Sequence, residues 1–289
     1  MKVFVTNKLK DFFCIYSKEI QEIFNNSIFT TNNFKESNYL ITCLSNETNY
    51  PKYGKPEYAK SKKEIKNLNK FIEQYFHLYA FQKIVIFNHT PIHFKSNVIT
   101  VCYSKDDIDK YNILICPPAI HIYNFNNNIN KKYFVSFKGN LIGTQLDNRI
   151  QIFNKLKKYN SDKIIIIDKQ NNKYDYNDLM QNSLFGIIIE GDLPWSYRLT
   201  ECINAGMIPI IIKPKNKNIF AFDELIDYSL FSIIINSDEI DYLMNTILVN
   251  LSAEKIKSML KNLEIVNNTY FISRKQQMNG VLEILQKRL

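Results

Sequence analysis

Residues 183–214, SLFGIIIEGDLPWSYRLTECINAGMIPIIIKP, compress a strand, a polar turn, a short helix and a second strand into one segment, and no other feature constrains the fold of this chain more. The apolar runs at 185–189 and 207–212 have strand length. The second is rich in β-branched side chains, the pattern of parallel strands buried on both faces. Between them Glu190, Gly191, Asp192, Leu193 and Pro194 form a turn, Ser196 has the chemistry of an N-cap, and residues 197–205 have helical character. Gly206 stands where helices end in a left-handed residue. In a strand-loop-helix unit of a parallel sheet, the loop and the helix N-terminus lie at the carboxyl edge of the strands, where ligands bind. Arg198 and Glu201 fall in the first helical turns, at that edge.

The same alternation runs through the chain. Strands are expected at 2–6, 39–44, 83–87, 98–102 and 113–116, with helices at 17–24 and 61–79. The second of these helices places Ile65, Leu68, Ile72, Tyr75, Phe76 and Tyr79 on one amphipathic face, a core stripe. In the second half, strands are expected at 134–137, 163–167, 185–189, 207–212 and 232–235, and helices at 147–159, 176–181, 197–205, 239–249 and 253–263. Strand and helix alternating in both halves predict an α/β protein with two parallel-sheet lobes facing one another across a cleft. The polar run YNFNNNINKK at 123–132 breaks both periods and reads as the connection between lobes.

Composition narrows the function classes. Hydrophobic residues make up 45% of the 289, which excludes a disordered chain. Cys14, Cys43, Cys102, Cys116 and Cys202 are odd in number and widely spaced, mostly in apolar runs, which fits reduced buried thiols and not a disulfide framework. No Cys or His cluster has zinc spacing. No apolar run approaches the roughly 18 residues that a membrane-spanning helix needs, and the N-terminus lacks a signal-peptide cleavage site. A cytoplasmic protein without an integral membrane segment is expected. The net charge of +9 comes from lysines spread along the chain, with short clusters at 60–70 and 155–158 and no nucleic-acid-binding motif. No nucleic-acid partner is expected; the surplus suits an anionic small molecule, an acidic membrane surface or a glycan.

Arg198 and Glu201 have two readings. Backbone N–H groups and the positive end of a helix dipole attract phosphate, and an arginine there adds a bidentate charged donor. A glutamate one turn on accepts hydrogen bonds from a ribose diol. The pair then reads as phosphate plus ribose. The competing reading is an ordinary i, i+3 charge contact on a solvated helix face, worth a few tenths of a kcal/mol.

The string GDLPWSYRLTECINAGMIPIIIKP resembles the C-terminal motif of exostosin-like glycosyltransferases, glycosyltransferase family 47, and within it the xylan-synthase branch. There Pro-Trp-Ser is followed by Arg-Leu, a glutamate, then Gly-x-Ile-Pro and an apolar strand. Downstream, FAFDE at 220–224 and IDY at 226–228 resemble the family's Leu-Pro-Phe-x-x-x-Ile-x-Trp segment. Upstream, YFVSFKG at 133–139, with Arg149 ten residues later, resembles the strand and arginine that open the nucleotide domain, and YNILICPP at 111–118 the segment before it. The family often carries a Gly-Gly-x-Asp-His-type motif in its N-terminal half. The comparable place here reads FQKIVIFNHTPIHF, with His89 and no glycine pair.

The resemblance implies the GT-B fold, two Rossmann-like lobes. An acceptor-side lobe is expected over 1–125 and a donor-side lobe over 131–265, with 266–289 as a helix crossing back to the first. It implies an inverting transfer of a sugar from a nucleotide sugar to a glycan hydroxyl, including one carried on a glycoprotein. A UDP-sugar is expected, with UDP-xylose preferred from the match to PWSYRLTE. Arg198 is the expected partner of the leaving diphosphate. Glu201 is expected on the ribose, and the backbone of Gly191 and Ser196 beside the phosphates. Arg149, Lys138 and Gly139 are secondary phosphate candidates, Trp195 a stacking candidate, and Glu190 and Asp192 candidates for donor sugar hydroxyls. His89 is the candidate base, with a structural histidine as the blander alternative. No cofactor and no metal are expected, because Arg198 and a helix dipole serve the leaving group and the lone Asp-x-Asp, Asp107 to Asp109, lies far away in sequence. Members of the family commonly work in the Golgi lumen behind a membrane anchor, the expected location if the chain is a trimmed form of a longer protein. Two alternatives stay open: a GDP-fucose-dependent fucosyltransferase-like GT-B enzyme, and a non-catalytic binding module that keeps the fold.

Overall fold

Short runs rich in isoleucine and valine form the strands of two five-stranded sheets. In a computed structural model of the protein the described residues are 3–5, 39–43, 83–87, 98–102, 113–114, 123–141, 146–190, 197–213 and 220–288. The expected helices at 17–24 and 61–79 lie outside them, as do His89, Asp107, Asp109, Gly191, Asp192, Trp195 and Ser196. The chain divides into two compact units, Met1–Ile113 with Val281–Leu289, and Leu114–Gly280.

The first unit contains β1 (Val3–Val5), β2 (Tyr39–Cys43), β3 (Lys83–Phe87), β4 (Val98–Cys102) and β5 (Ile113–Leu114), arranged in chain order. The pairs β1–β2, β2–β3 and β3–β4 are parallel.

The second unit holds β6 (Tyr133–Gly139), β7 (Ile164–Asp168), β8 (Ser183–Ile188), β9 (Ile208–Ile212) and β10 (Ile233–Ile235), in the order β10-β9-β8-β6-β7. All neighbours are parallel. Every residue of the central strands β8 and β9 is buried, as two-sided coverage by helices requires. The connecting helices are α1 (Leu146–Lys157), α2 (Tyr176–Asn182) and α3 (Tyr197–Ala205). Asp175 caps α2, its carboxylate accepting from the Asp178 backbone N–H at 2.8 Å. Ile152, Phe153 and Leu156 form the buried face of α1.

The one helix expected over 239–249 is broken up. A three-residue α4 (Ile240–Tyr242) runs into a π turn, Leu243–Ile247, in which the Leu248 N–H reaches the Leu243 carbonyl at 3.0 Å. Leu243 and Leu248 are both buried and five apart, a spacing that the wider turn brings to one face. Helix α5 (Ala253–Val266) likewise widens at Asn267–Phe271, and α6 (Arg274–Lys287) ends the chain.

Residues 123–132, expected as the connection between lobes, are irregular and bonded to the second unit. Helix α3 ends in a Schellman motif: Gly206 is left-handed (φ 69°), its N–H bonds the Ile203 carbonyl, and the Met207 N–H bonds the Cys202 carbonyl at 2.9 Å. The irregular strap then satisfies the carbonyls left over at this helix end. The Asn126 N–H donates to Ala205 O at 3.2 Å and Lys131 Nζ to Gly206 O at 2.8 Å. A cation at a helix C-terminus is also favoured by the dipole. Burial lowers the Lys131 ammonium to about 8.

Two expectations follow. A Cβ at Gly206 would stand 2.5 Å from the Asn126 carbonyl oxygen as well as in the left-handed region. Gly206→Ala should therefore cost about 2–4 kcal/mol and lower Tm by about 5–10 °C. Gly206→Asn, which tolerates the dihedral, should recover little because the same Cβ meets the strap; full recovery in a thermal melt would contradict the close approach. For Lys131 the folded-state value lies below the unfolded one, so between about pH 8 and the ordinary lysine range the unfolded chain binds the extra proton and stability rises with pH. The Tm difference between wild type and Lys131→Met should shift in favour of wild type from pH 8 to pH 10. A pH-independent difference would show that Lys131 is not buried as described.

Candidate functional site

The second sheet reverses its strand order between β8 and β6, since the chain moves outward to β7 on one side and to β9 and β10 on the other. Right-handed crossovers then send α1 to one face of the sheet and α2 and α3 to the other. Consistent with this, α2 and α3 pack on each other, while α1 packs against β7 and α4. At such a reversal the loops leaving neighbouring strands diverge, and a crevice opens at the carboxyl edge.

Arg149, on α1, reaches into that edge. Its Nε donates to Asn140 O at 2.7 Å, just past β6, and its Nη1 donates to Ile189 O at 3.1 Å and Glu190 O at 2.6 Å, just past β8. One guanidinium thus ties the two diverging strand ends together. Gly139 makes room for it. A Cβ there would lie 2.8 Å from the Phe137 ring and 3.1 Å from Arg149 Nη2. Phe137 is fully buried on β6, its ring tilted against Phe153 of α1. Lys138 Nζ is engaged by carbonyls, those of Asn171 at 2.8 Å and Tyr174 at 2.6 Å, so it anchors the loop that leads from β7 to α2.

Arg198 enters from α3. Its Cζ lies 4.9 Å from the Phe137 ring centroid and 5.2 Å from that of Tyr176, the first residue of α2, while Arg149 Cζ lies 5.6 Å from the same Phe137 ring. Two guanidiniums therefore converge on one aromatic ring. Among the described residues none forms an ion pair with Arg198. Cation–π contacts are worth about 0.5–2 kcal/mol each, against about 0.2–1 kcal/mol for an exposed ion pair. The rings thus hold the half-buried Arg198 at least as firmly as an exposed carboxylate would.

Glu201 is one turn further along α3. It is 3% exposed, which overturns the reading of Arg198 and Glu201 as a charge contact on a solvated face. Tyr176 Oη donates to Glu201 Oε2 at 2.6 Å. Burial pushes the Tyr176 phenol far above its ordinary range, with Glu201 adding to the shift and Arg198 opposing it, so the hydroxyl keeps its proton as a donor. Nearby, Tyr123 Oη donates to Asn177 Oδ1 at 3.0 Å. Cys202 is a buried free thiol pushed up to about 12, chiefly by burial, which leaves it protonated and unsuited to nucleophilic attack.

Of the residues predicted from sequence, Arg149, Arg198, Glu201, Gly139 and the backbone of Glu190 come together at the strand-order reversal. Lys138 stands beside them with its amine on the 171–174 loop. Tyr197 is 38% exposed. Two residues with a place in the cluster were missed. Phe137 reads as one more core aromatic, and only its position two residues before a strand-ending glycine marks it. Tyr176 reads as an ordinary helix starter, and only its place at the carboxyl edge of β7 distinguishes it. Among the described residues no group of three His, Cys, Asp or Glu side chains is placed to hold a metal ion, and no helix is long and apolar enough to cross a membrane.

No curated protein sequence matches the chain. Among solved structures it is similar to WaaG, a glycosyltransferase involved in lipopolysaccharide biosynthesis, at 9% identity and a TM-score of 0.43, with 98% of this chain and 99% of that one covered. It is also similar to the GtfA/B complex, at 12% identity and a TM-score of 0.42, covering 86% of this chain and 57% of that one. The sequence profile of the exostosin GT47 domain matches residues 5–251, most of the chain. With two parallel α/β sheets of the GT-B kind and that match, the chain is a glycosyltransferase belonging to the exostosin GT47 family.

Proposed function

We propose that this glycosyltransferase takes its sugar from a UDP-sugar, UDP-xylose before other donors, and transfers it with inversion to a glycan hydroxyl. The donor diphosphate sits against Arg198 at the strand-order reversal of the second unit. The observation that carries this reading is the Arg198 guanidinium resting on two aromatic rings, without an ion-pair partner among the described residues, at the edge where parallel sheets bind ligands. As an acceptor hydroxyl attacks the anomeric carbon, negative charge grows on the departing diphosphate. A preorganised guanidinium in a partly desolvated edge stabilises that charge more in the transition state than in the ground state. Arg149, with its Nε and Nη1 on three backbone carbonyls, contributes its field and fixes the loop ends. Glu201 presents its carboxylate to the ribose diol while accepting from Tyr176. The preference for xylose rests on the likeness of PWSYRLTE to the xylan branch. Charge stabilisation by Arg198 makes a divalent cation unnecessary for leaving-group departure.

Arg198→Ala should lower kcat for transfer by about 10²-fold or more with the fold intact, the scale for removing one preorganised donor to developing charge. A variant within threefold of wild type would remove Arg198 from the site. In a thermal-shift panel of nucleotide sugars, UDP-sugars should stabilise the protein more than GDP-sugars. Preferential stabilisation by GDP-fucose would favour the fucosyltransferase-like alternative, and nucleotide binding without transfer or donor hydrolysis would favour a binding module. Transfer should persist in EDTA; its complete loss, restored by added Mg²⁺ or Mn²⁺, would show that a metal takes part.

A further inference from the structure

We propose that Tyr176 is a positioning residue of this site: its aromatic ring, together with that of Phe137, aims the Arg198 guanidinium at the donor diphosphate, and its hydroxyl serves Glu201 instead. The inference rests on the donor-site reading above and adds to it a residue on a separate helix, α2, outside the segment that carries Arg198.

Arg198 lies 4.9 Å from the Phe137 ring centroid and 5.2 Å from that of Tyr176. Phe137 comes from β6, Tyr176 from the start of α2 and Arg198 from the start of α3, so three separate elements set one side chain. A flexible arginine that must point at a ligand before the ligand arrives loses less rotamer freedom on binding when its plane is already held. Aromatic faces do this without cancelling the charge, which a carboxylate would.

The ring and the hydroxyl of Tyr176 have separable roles. The hydroxyl bonds Glu201, a buried carboxylate. The position of the ring does not depend on that bond, because α2 is fixed by other contacts. Tyr133 Oη and Lys132 Nζ both reach Asp178 Oδ2, at 3.0 and 3.1 Å, and Tyr123 Oη donates to Asn177 Oδ1. Lys138 holds the Tyr174 carbonyl just before the helix, and Tyr174 itself packs on the cluster of Tyr133, Ile165, Ile167 and Leu179. Removing the hydroxyl therefore strips Glu201 of a partner while leaving the ring beside Arg198.

The test is calorimetric titration of the full chain with UDP and with uridine. The ratio Kd(uridine)/Kd(UDP) isolates the part of affinity that the phosphates contribute, which a general structural defect would not move selectively. Arg198→Ala should lower this ratio tenfold or more. Tyr176→Leu should lower it by about 5–30-fold, the equivalent of a partly desolvated cation–π contact. Tyr176→Phe should keep it within about twofold while lowering Tm, since Glu201 loses a hydrogen bond. Should Tyr176→Leu keep the wild-type ratio while Arg198→Ala loses it, Tyr176 does not position Arg198. A Tyr176→Phe ratio reduced as far as that of Arg198→Ala would overturn the inference equally, because the ring is intact there, and this arm remains decisive if the leucine variant fails to fold. If Arg198→Ala leaves the ratio unchanged, or UDP does not bind, the donor-site reading itself falls.

Discussion

Two strand ends that diverge at the carboxyl edge of the second sheet are held together by a single guanidinium. Arg149 donates to the carbonyl of Asn140 beyond β6 and to those of Ile189 and Glu190 beyond β8, across the point where strand order reverses. Carbonyls leaving a sheet edge have no ladder partner, and a buried or half-buried carbonyl without a donor costs about 1–3 kcal/mol. A charged donor with five N–H groups in a fixed fork meets three of them at once, which a lysine with its single point of charge would not reproduce. The rest of the candidate site is built around that tie. Gly139 lets the guanidinium approach, and Phe137 lies under it.

Phe137 then links the two faces of the sheet. Arg149 approaches its ring from α1 and Arg198 from α3, helices that the reversal sends to opposite faces. The positive charge of Arg149 is dispersed into carbonyl dipoles. That of Arg198 rests on aromatic faces, with Glu201 one turn away and engaged by Tyr176. The result is a preorganised cation at a place where parallel α/β sheets bind ligands, which matches what a leaving diphosphate demands. Below it, the Schellman end of α3 and the strap at 123–132 fix the other end of the same helix, so α3 is secured at both ends by contacts outside itself.

Much of this frame was legible in the amino-acid sequence. The isoleucine runs marked β7, β9 and β10 to within about one residue at each end, because short β-branched runs bounded by polar residues have strand length. Gly206 was legible as a left-handed helix end, and Arg198 and Glu201 as residues of an edge-facing helix start. The strand order was not, since hydrophobic runs carry no record of which strand neighbours which. That hid one part of Arg149, a secondary phosphate candidate in the sequence, whose Nε and Nη1 also hold backbone carbonyls of two strand ends. Tyr176 and Phe137 were hidden for a related reason: an aromatic that packs and an aromatic that carries a guanidinium have the same periodicity. The helix expected over 239–249 was misjudged because a π turn and an α turn differ by a single hydrogen-bond step that buried leucines five apart select only in context.

The most direct measurement is a crystal structure of the protein with UDP bound. The diphosphate is expected at the carboxyl edge between β6 and β8, its oxygens about 2.7–3.2 Å from the guanidinium nitrogens of Arg198, with Arg149 still on its three carbonyls. A nucleotide seated elsewhere in the protein, with Arg198 unmoved on its two rings and making no contact with phosphate, would contradict it.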